Sequence, residues 1–579
     1  MSVLDRQAAL SSAADGRPVP SAWERARART AGLDDRLVGW LVPLGLTLVA
    51  FGLRLWHLGS PDRFAFDETY YAKDAWSLLN HGYVRGYESK IGDQDVNDAI
   101  LDGRTQGIWS DGPSMEVHPE VGKWLIALGE KAFGMDPFGW RFASAVVGAL
   151  MVLVMCRLAR RMTGSTLLGC VAGVLLMFDG LHFVLSRLAL LDIFLAFFVL
   201  CAVACLVADR DWHRSRLAAI VEPGRRLAPG EWGPVRALLF RPWLLAGGVW
   251  FGLALGTKWT AAYPLAAFGL LVWVWSAGAR RSFGVRWPVL RGAVADGLPA
   301  FAQLVMVAAL VYVASWGGWL AHADKYEESL SATQYTQFVK ENPCVGTGDD
   351  RTTDNETDPS KRWPTATEPD ASGLGEVSQS LRSWWSYHHD VYIFHTHYLN
   401  CSSHVYQSSP LGWPVLNRSV GVATDLTIKP GEQGCTAEEG STCYRQVLLL
   451  GTPLLWWGGV LALLAAAGLW IGTRDWRFGV AVVGFVAGWL PWLLYDDRPI
   501  FSFYAIVCLP FLVLAVTLVL GKLLGSSTLP SRRRTLGVVI GGSFVVLVIA
   551  NFAFFYPIYA YEVIPRSGWL DRMWFQRWI

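Results

Sequence analysis

Eleven apolar runs constrain this chain more than any other feature: about residues 37 to 56, 138 to 156, 165 to 180, 189 to 208, 242 to 256, 258 to 276, 297 to 319, 448 to 471, 478 to 495, 501 to 520 and 535 to 556. Most approach the ~20 residues that a helix needs to cross ~30 Å of hydrocarbon. The fold class that follows is an all-α polytopic membrane protein. Composition agrees, since 53% hydrophobic residues, 17% charged residues and a mean hydropathy of +0.30 are too apolar for a soluble chain of 579 residues.

The net charge of +2 conceals a segregation along the chain. With the N-terminus inside, alternate connections hold Arg157, Arg160 and Arg161; the Arg-rich stretch 209 to 241; Arg280, Arg281, Arg286 and Arg291; Arg474 and Arg477; and Lys522 with Arg532 to Arg534. Basic short connections mark the cytoplasmic side, so the tail beyond Tyr556 lies outside. No exposed basic domain is left over, which argues against a nucleic-acid partner. Residues 1–36 contain six Arg and no apolar core, so they read as a disordered cytoplasmic tail, not a cleavable signal peptide. The expected organisation is an N-terminal transmembrane module over 37–319 with an outer loop at 57–137, an extracytoplasmic subdomain over 320–447, a C-terminal module over 448–556 and an outer tail from 557. Arg far outnumbers Lys, a composition typical of a GC-rich bacterial genome, and places the chain in a bacterial cell membrane.

Five of the nine Cys lie in the spans, where a thiol packs as a small apolar group. The other four, Cys344, Cys401, Cys435 and Cys443, lie in the second outer loop, where an oxidising compartment allows up to two disulfides in any of three pairings.

The chemistry concentrates on the outer side. Asp67 and Glu68 follow the first span within Phe66-Asp67-Glu68-Thr69-Tyr70-Tyr71. Adjacent carboxylates cannot face one pocket equally, so one is expected to accept a proton and the other to position a partner. Next comes Glu116-Val117-His118-Pro119-Glu120-Val121-Gly122-Lys123, where Pro119 suits a helix start. Trp124, Leu125, Leu128 and Phe133 give that helix an apolar stripe suited to the membrane surface. Arg141, Asp179, Arg187, Asp192, Lys258 and Arg498 all fall at outer ends of spans. Ionisable groups there are costly unless they snorkel to headgroups, pair with each other or converge on an anionic ligand. Convergence would make an acid–base site with cations for a phosphate. No residue set is assigned to a metal and no cofactor is expected; a lipid-borne donor explains why no Gly-rich nucleotide loop is needed.

Taken together, Phe66-Asp67-Glu68, the segment from His118-Pro119 to Lys123, Arg141, Ser186-Arg187 through Asp192, Lys258-Trp259 and Arg498 with Phe503-Tyr504 resemble the protein O-mannosyltransferases, and Ser383-Trp384-Trp385-Ser386-Tyr387-His388 with Leu449-Leu450-Gly451-Thr452-Pro453 resemble their actinobacterial branch. One departure is Glu120, which stands where the family usually has a second Pro. The resemblance implies a GT-C glycosyltransferase fold, a polyprenyl-phosphate mannose donor, and Ser/Thr hydroxyls of secreted proteins as acceptors. It also implies Asp67 as general base, Glu68 holding the acceptor, and Lys258 with nearby Arg residues neutralising the donor phosphate. The secretion machinery is a further candidate partner. Residues 320–447 lack the repeated pattern of the β-trefoil found in eukaryotic relatives. Two other functions compete on the sequence alone: a GT-C enzyme acting on a cell-wall polysaccharide or glycolipid, and a non-enzymatic lipid transporter.

Overall fold

The structure is a computed structural model that describes residues 35–221, 230–331, 363–396, 398–495, 497–525 and 531–579. Among the described residues nine helices are long and apolar enough to cross a membrane. They are α1 (Asp35–Leu55), α4 (Pro137–Thr163), α6 (Leu191–Ile220), α7 (Pro242–Leu255 with its preceding turn), α8 (Ala262–Ser282), α9 (Pro288–Ala314), α11 (Pro453–Thr473), α12 (Trp476–Trp489 with its following turn) and α14 (Arg532–Tyr559). Two shorter apolar helices, α5 (Thr166–Met177, 12 residues) and α13 (Leu509–Leu524, 16 residues), occupy the runs read at 165 to 180 and 501 to 520. Eleven runs thus correspond to nine helices of spanning length and two shorter ones. The remaining helices that matter below are α2 (Glu68–His81), α3 (Val121–Phe133) and α10 (Leu374–Thr396).

Two boundaries differ from the sequence reading for physical reasons. Pro288 at the first turn opens α9 well before residue 297, because a helix start needs no N–H from that residue. The run read from 448 begins too early: Leu448 and Leu449 end a strand whose side chains are buried in the outer subdomain, and α11 starts only at Pro453. The tail 1–36 falls almost wholly outside the described residues.

Helix α6 is the hub of the bundle, with 83% of its most apolar window buried, against 17% for α9 and 22% for α1 and α11. The outer helices therefore turn Leu, Val and Phe outward, as a lipid-facing surface requires. Where helices meet, small residues permit close approach: a methyl group on Gly252 of α7 would sit 2.8 Å from the Ala308 carbonyl of α9.

Basic ends gather on one face, where Arg161 pairs with Asp211 at 3.2 Å and Arg477 reaches the Met162 carbonyl at 3.4 Å. Both long connections gather on the other. The first holds α2, α3 and a small antiparallel pair, β1 (Arg85–Tyr87) with β2 (Trp109–Pro113). The second holds α10 and β3 (Val420–Ile428), which pairs with β4 (Cys443–Leu449), and β5 (Ile564–Pro565) of the C-terminal tail adds to β4. A disulfide joins Cys435 to Cys443. Cys344 and the side chain of Cys401 lie outside the described residues. The C-terminus is stitched to the same face, since Trp578 Nε1 donates to the Leu416 carbonyl at 2.6 Å.

Asp425 of β3 is the knot between these segments. Its carboxylate accepts from Arg63 of the first loop at 3.1 Å, Arg445 of β4 at 2.7 Å and the Tyr561 hydroxyl at 2.7 Å, and these donors hold it below the usual carboxylate range despite partial burial. Helix α3 carries its apolar stripe as expected, with Trp124, Leu128 and Phe133 exposed and Lys123, Ile126, Ala127 and Glu130 buried. We predict that Asp425→Ala loosens the outer face by about 1–2 kcal/mol, the scale of hydrogen bonds to one charged group. Limited proteolysis should then cut the 398–449 segment faster than in the wild type, and unchanged cleavage would show that the knot carries no stability.

Candidate active site

Between the outer loops and the spans lies a cavity of about 930 Å³. Its deep end is walled by apolar side chains of the spans, among them Leu195, Val199, Pro264, Ala487 and Val507. Its outer end is polar and aromatic, built from α2, the segment before α3, the connection before α8, the end of α10 and the connection after α12. The space is therefore amphipathic along its length.

Asp67 stands at the N-cap position of α2, yet its side chain makes no capping bond and instead lines the cavity. Phe66, just before it, adopts φ 53°, an unfavourable conformation for a bulky residue. Edge contacts with Phe501 at 5.4 Å, Phe503 at 5.8 Å and His404 at 6.0 Å hold it there and so fix where the helix begins. The Tyr71 hydroxyl, one turn on, is 3.4 Å from Asp67 Oδ2. Burial pushes the Asp67 carboxyl up to about 6; the Asp192 charge adds to this, while the Lys258 ammonium and Tyr71 oppose it. It remains ionised at neutral pH but is a stronger base than an exposed aspartate.

Lys258 sits in the connection between α7 and α8, buried and lining the cavity. Its ammonium donates to both oxygens of Asp192 at 2.8 and 3.0 Å and lies 5.1 Å from the centre of the Tyr504 ring. Asp192, another of the ionisable groups singled out at the span ends, is thus its partner within the protein. Lys123 is enclosed between Asp74 at 2.9 Å and Glu116 at 2.7 Å. Glu116 also accepts from the Tyr326 hydroxyl at 3.1 Å, and its backbone carbonyl accepts from Tyr387 of α10 at 2.6 Å. Glu120 accepts from Trp124 Nε1 at 3.1 Å and from the Trp319 amide at 3.2 Å, so the residue in place of the second Pro ties α3 to the outer end of α9.

Arg498 donates to His395 Nδ1 at 3.0 Å, and His395 Nε2 donates to the Val117 carbonyl at 3.0 Å. These two bonds require one neutral tautomer, and burial pushes His395 down to about 4, the Arg498 charge adding to the effect. His118 stacks on His395 with ring centres 5.5 Å apart, and its enclosure beside Lys258 keeps it neutral as well.

Six of the residues singled out in the sequence thus meet in one space: Asp67, His118, Lys123, Asp192, Lys258 and Arg498. Four do not line it. Glu68 is fully buried; one oxygen accepts from Arg141 Nε at 2.8 Å and the Ala189 amide at 2.9 Å, the other from Arg141 Nη2 at 2.8 Å and the Ala65 amide at 2.9 Å. A carboxylate offers about four such acceptor directions, and all are filled. Arg141 spends its remaining donors on the carbonyls of Leu58, Pro61 and Arg63. Arg187 donates to the carbonyls of Arg54, Trp56 and His57, fastening the end of α1. Asp179 accepts from the amides of His182 and Thr452 and from Trp456 Nε1, joining α5 to α11. Sequence reading missed Asp74, Tyr71 and His395. The first two were accessible, because Asp67, Tyr71 and Asp74 repeat at i, i+4 and i+7 and so share one helix face.

Profiles of two regions match: dolichyl-phosphate-mannose-protein mannosyltransferase over residues 114–222, and the C-terminal four-transmembrane region of protein-O-mannosyltransferase over residues 380–578. The polyprenol-phosphate-mannose–protein mannosyltransferase of Mycolicibacterium smegmatis (strain MKD8) is 37% identical over 553 residues, covering 94% of each chain. The chain belongs to the protein O-mannosyltransferase family. Its relatives in that family include the proteins of the same name from Mycobacterium tuberculosis (strain H37Rv), 36% identical over 94% of this chain and 92% of that one, and from Corynebacterium glutamicum, 32% identical over 89% and 88%. A protein O-mannosyltransferase of known structure, the Saccharomyces cerevisiae Pmt1–Pmt2 complex bound to the sugar donor, superposes with a TM-score of 0.63 over 96% of this chain and 94% of that one at 15% identity, so the fold is shared.

Because Glu68 has no water to fall back on, Arg141→Met should destabilise the protein by about 3–5 kcal/mol, the cost of leaving one buried charge without its partner. Thermal unfolding in detergent measures this. A midpoint unchanged from wild type would mean that the pair is dispensable.

Proposed function

We propose that this protein transfers mannose from polyprenyl-phosphate mannose to Ser or Thr hydroxyls of secreted proteins, on the outer face of the membrane and with inversion. The observation that carries the reading is the amphipathic cavity, which sets a half-buried carboxylate, Asp67, beside a cationic group at the level of the span ends. The relatives named above supply the donor and acceptor classes. The orientation follows from the basic connections, with the N-terminus cytoplasmic and the C-terminal tail sharing the outer face with both long loops. The units read from the sequence are proposed with the third moved to the start of α11: a transmembrane unit over 37–319, an outer unit over 320–452 and a transmembrane unit over 453–556. The secretion machinery is the proposed source of unfolded acceptor chains.

A serine hydroxyl is a poor nucleophile at neutral pH. Asp67 takes its proton as the hydroxyl oxygen bonds to the anomeric carbon and the bond from that carbon to the phosphate oxygen breaks. Charge grows on the departing lipid phosphate, where Lys258 and Arg498 offset it, and Tyr71 steadies the base. Single-step displacement inverts the anomeric centre. Lys258 would share its N–H groups between Asp192 and the phosphate. Glu68 acts through Arg141 as a positioning residue, holding the start of α2.

Asp67→Asn should slow transfer by about 10²- to 10⁴-fold, the usual worth of a positioned base, with membrane insertion intact. Labelled donor with a Ser/Thr-rich peptide measures it, and retained turnover would remove Asp67 from the role. For the wild type, kcat/KM should fall as pH drops through about 6, since Asp67 must be ionised to act. Lys258→Met should move that limb upward, because the ammonium favours the charged carboxylate.

The same Lys258→Met protein separates two roles of the cation. Donor binding should weaken strongly, while Lys258→Arg keeps part of it because charge persists with altered geometry. Unchanged donor affinity with a large loss of thermal stability would confine Lys258 to its pair with Asp192.

A further inference from the structure

Among the described residues, nothing packs on part of the surface of helix α10. Leu374, Val377, Leu381 and Trp385 are 90%, 55%, 40% and 73% exposed and border a shallow groove of about 640 Å³. Their spacing of three, four and four residues places them on one helix face. The arc clockwise of that face carries Ser378, Gln379, Arg382, Ser386 and His389; Arg382 pairs with Glu368 at 2.7 Å, in the open. The arc on the other side packs against the protein, and so does the continuation of the stripe's own face at His388 toward the C-terminal end. There Trp384 and His388 meet Tyr312 of α9, with ring centres 5.8 Å apart in each case, and His388 stacks on Trp259 at 5.5 Å.

Those contacts set the height of the helix. Tyr312 lies at the end of one span and Trp259 at the start of another, at the same face as Lys258. Tyr and Trp at span ends mark the level of the lipid headgroups. The apolar stripe of α10 therefore emerges beside the membrane interface, between the arc that touches the span ends and the polar arc.

We propose that α10 is an interfacial helix whose stripe of Leu374, Val377, Leu381 and Trp385 lies in the outer lipid surface. Its occupant is the bilayer itself, because the stripe lies beside residues of α10 that rest on the aromatic ends of two spans. An amphipathic helix gains affinity for that boundary from buried apolar area. The consequence reaches the cavity. The last turns of α10 carry Tyr392 and His395, which wall the site, and His395 holds Arg498 at 3.0 Å. Lipid contact at one end of α10 thus sets the position of a cavity wall at the other. The placement rests only on the span ends, and its link to donor use rests on the transfer reading above.

The test uses the full-length protein in nanodiscs made with a phospholipid that carries a diazirine on its acyl chain, alongside hydroxyl-radical footprinting from the aqueous side. Photolysis should place lipid adducts on Val377, Leu381 and Trp385, and Trp385 should oxidise slowly while His389 oxidises readily. Fast oxidation of Trp385 without lipid adducts would overturn the proposal in favour of a water-facing surface. Neither adducts nor oxidation would overturn it in favour of cover by protein. A double variant, Val377→Asp with Leu381→Asp, should lose adducts several-fold and raise the KM for donor in vesicles. Lost adducts with an unchanged KM would separate the lipid contact from donor use, overturning the link to the cavity and leaving the transfer reading intact.

Discussion

A carboxylate and a guanidinium with no access to water, Glu68 and Arg141, hold the outer face in register with the bundle. The pair is bidentate at 2.8 Å on both arms, and every spare donor or acceptor on it goes to a backbone group of the first loop or to Ala189. Desolvating two charges costs several kcal/mol each, and only this degree of satisfaction offsets it. Since the bonds run to the segment that precedes residue 67, the pair works with the packing of Phe66 to set where α2 begins. Asp67 inherits its position from its neighbour.

Within the cavity the same economy recurs with less complete compensation. Lys123 has two carboxylates, and Lys258 has one, which keeps its buried ammonium tolerable. Among the described residues Asp67 has a distant hydroxyl and the field of Lys258, and burial raises its affinity for a proton. In the cavity Glu116, Asp74 and Asp192 each face a lysine ammonium at 3.0 Å or less, whereas Asp67, the proposed base, has no such close ion pair among the described residues.

Much of this was legible in the chain because its signals are local. Runs of about twenty apolar residues announce spans one segment at a time, and the Arg-rich connections mark the face on which they gather. The Asp67–Glu68 doublet was visible as two roles, but their division depends on Arg141, 73 residues away, and nothing near Glu68 points there. Lys258 was recognisable as a cation that needs an anion, and Asp192 as another ionisable group at a span end, but their pairing across 66 residues carries no local signal. Residues 448 and 449 misled because an apolar strand buried on both faces has the same composition as the start of a span. His395 carried no signal at all: its role comes from α10 folding back over the span ends, a contact set by packing among Trp259, Tyr312, Trp316 and Trp384.

The central claim is that residue 67 faces the acceptor while the cations across the cavity face the donor. A cryo-electron microscopy structure of the Asp67→Asn protein with polyprenyl-phosphate mannose and a serine peptide tests it most directly, since both substrates should remain bound without reacting. The account predicts the serine Oγ within hydrogen-bond reach of the residue 67 side chain and the lipid phosphate against Lys258 and Arg498, with the polyprenyl chain along Leu195 and Val199. A serine hydroxyl resting on Asp74 or Glu116, or a phosphate bound away from both cations, would contradict it.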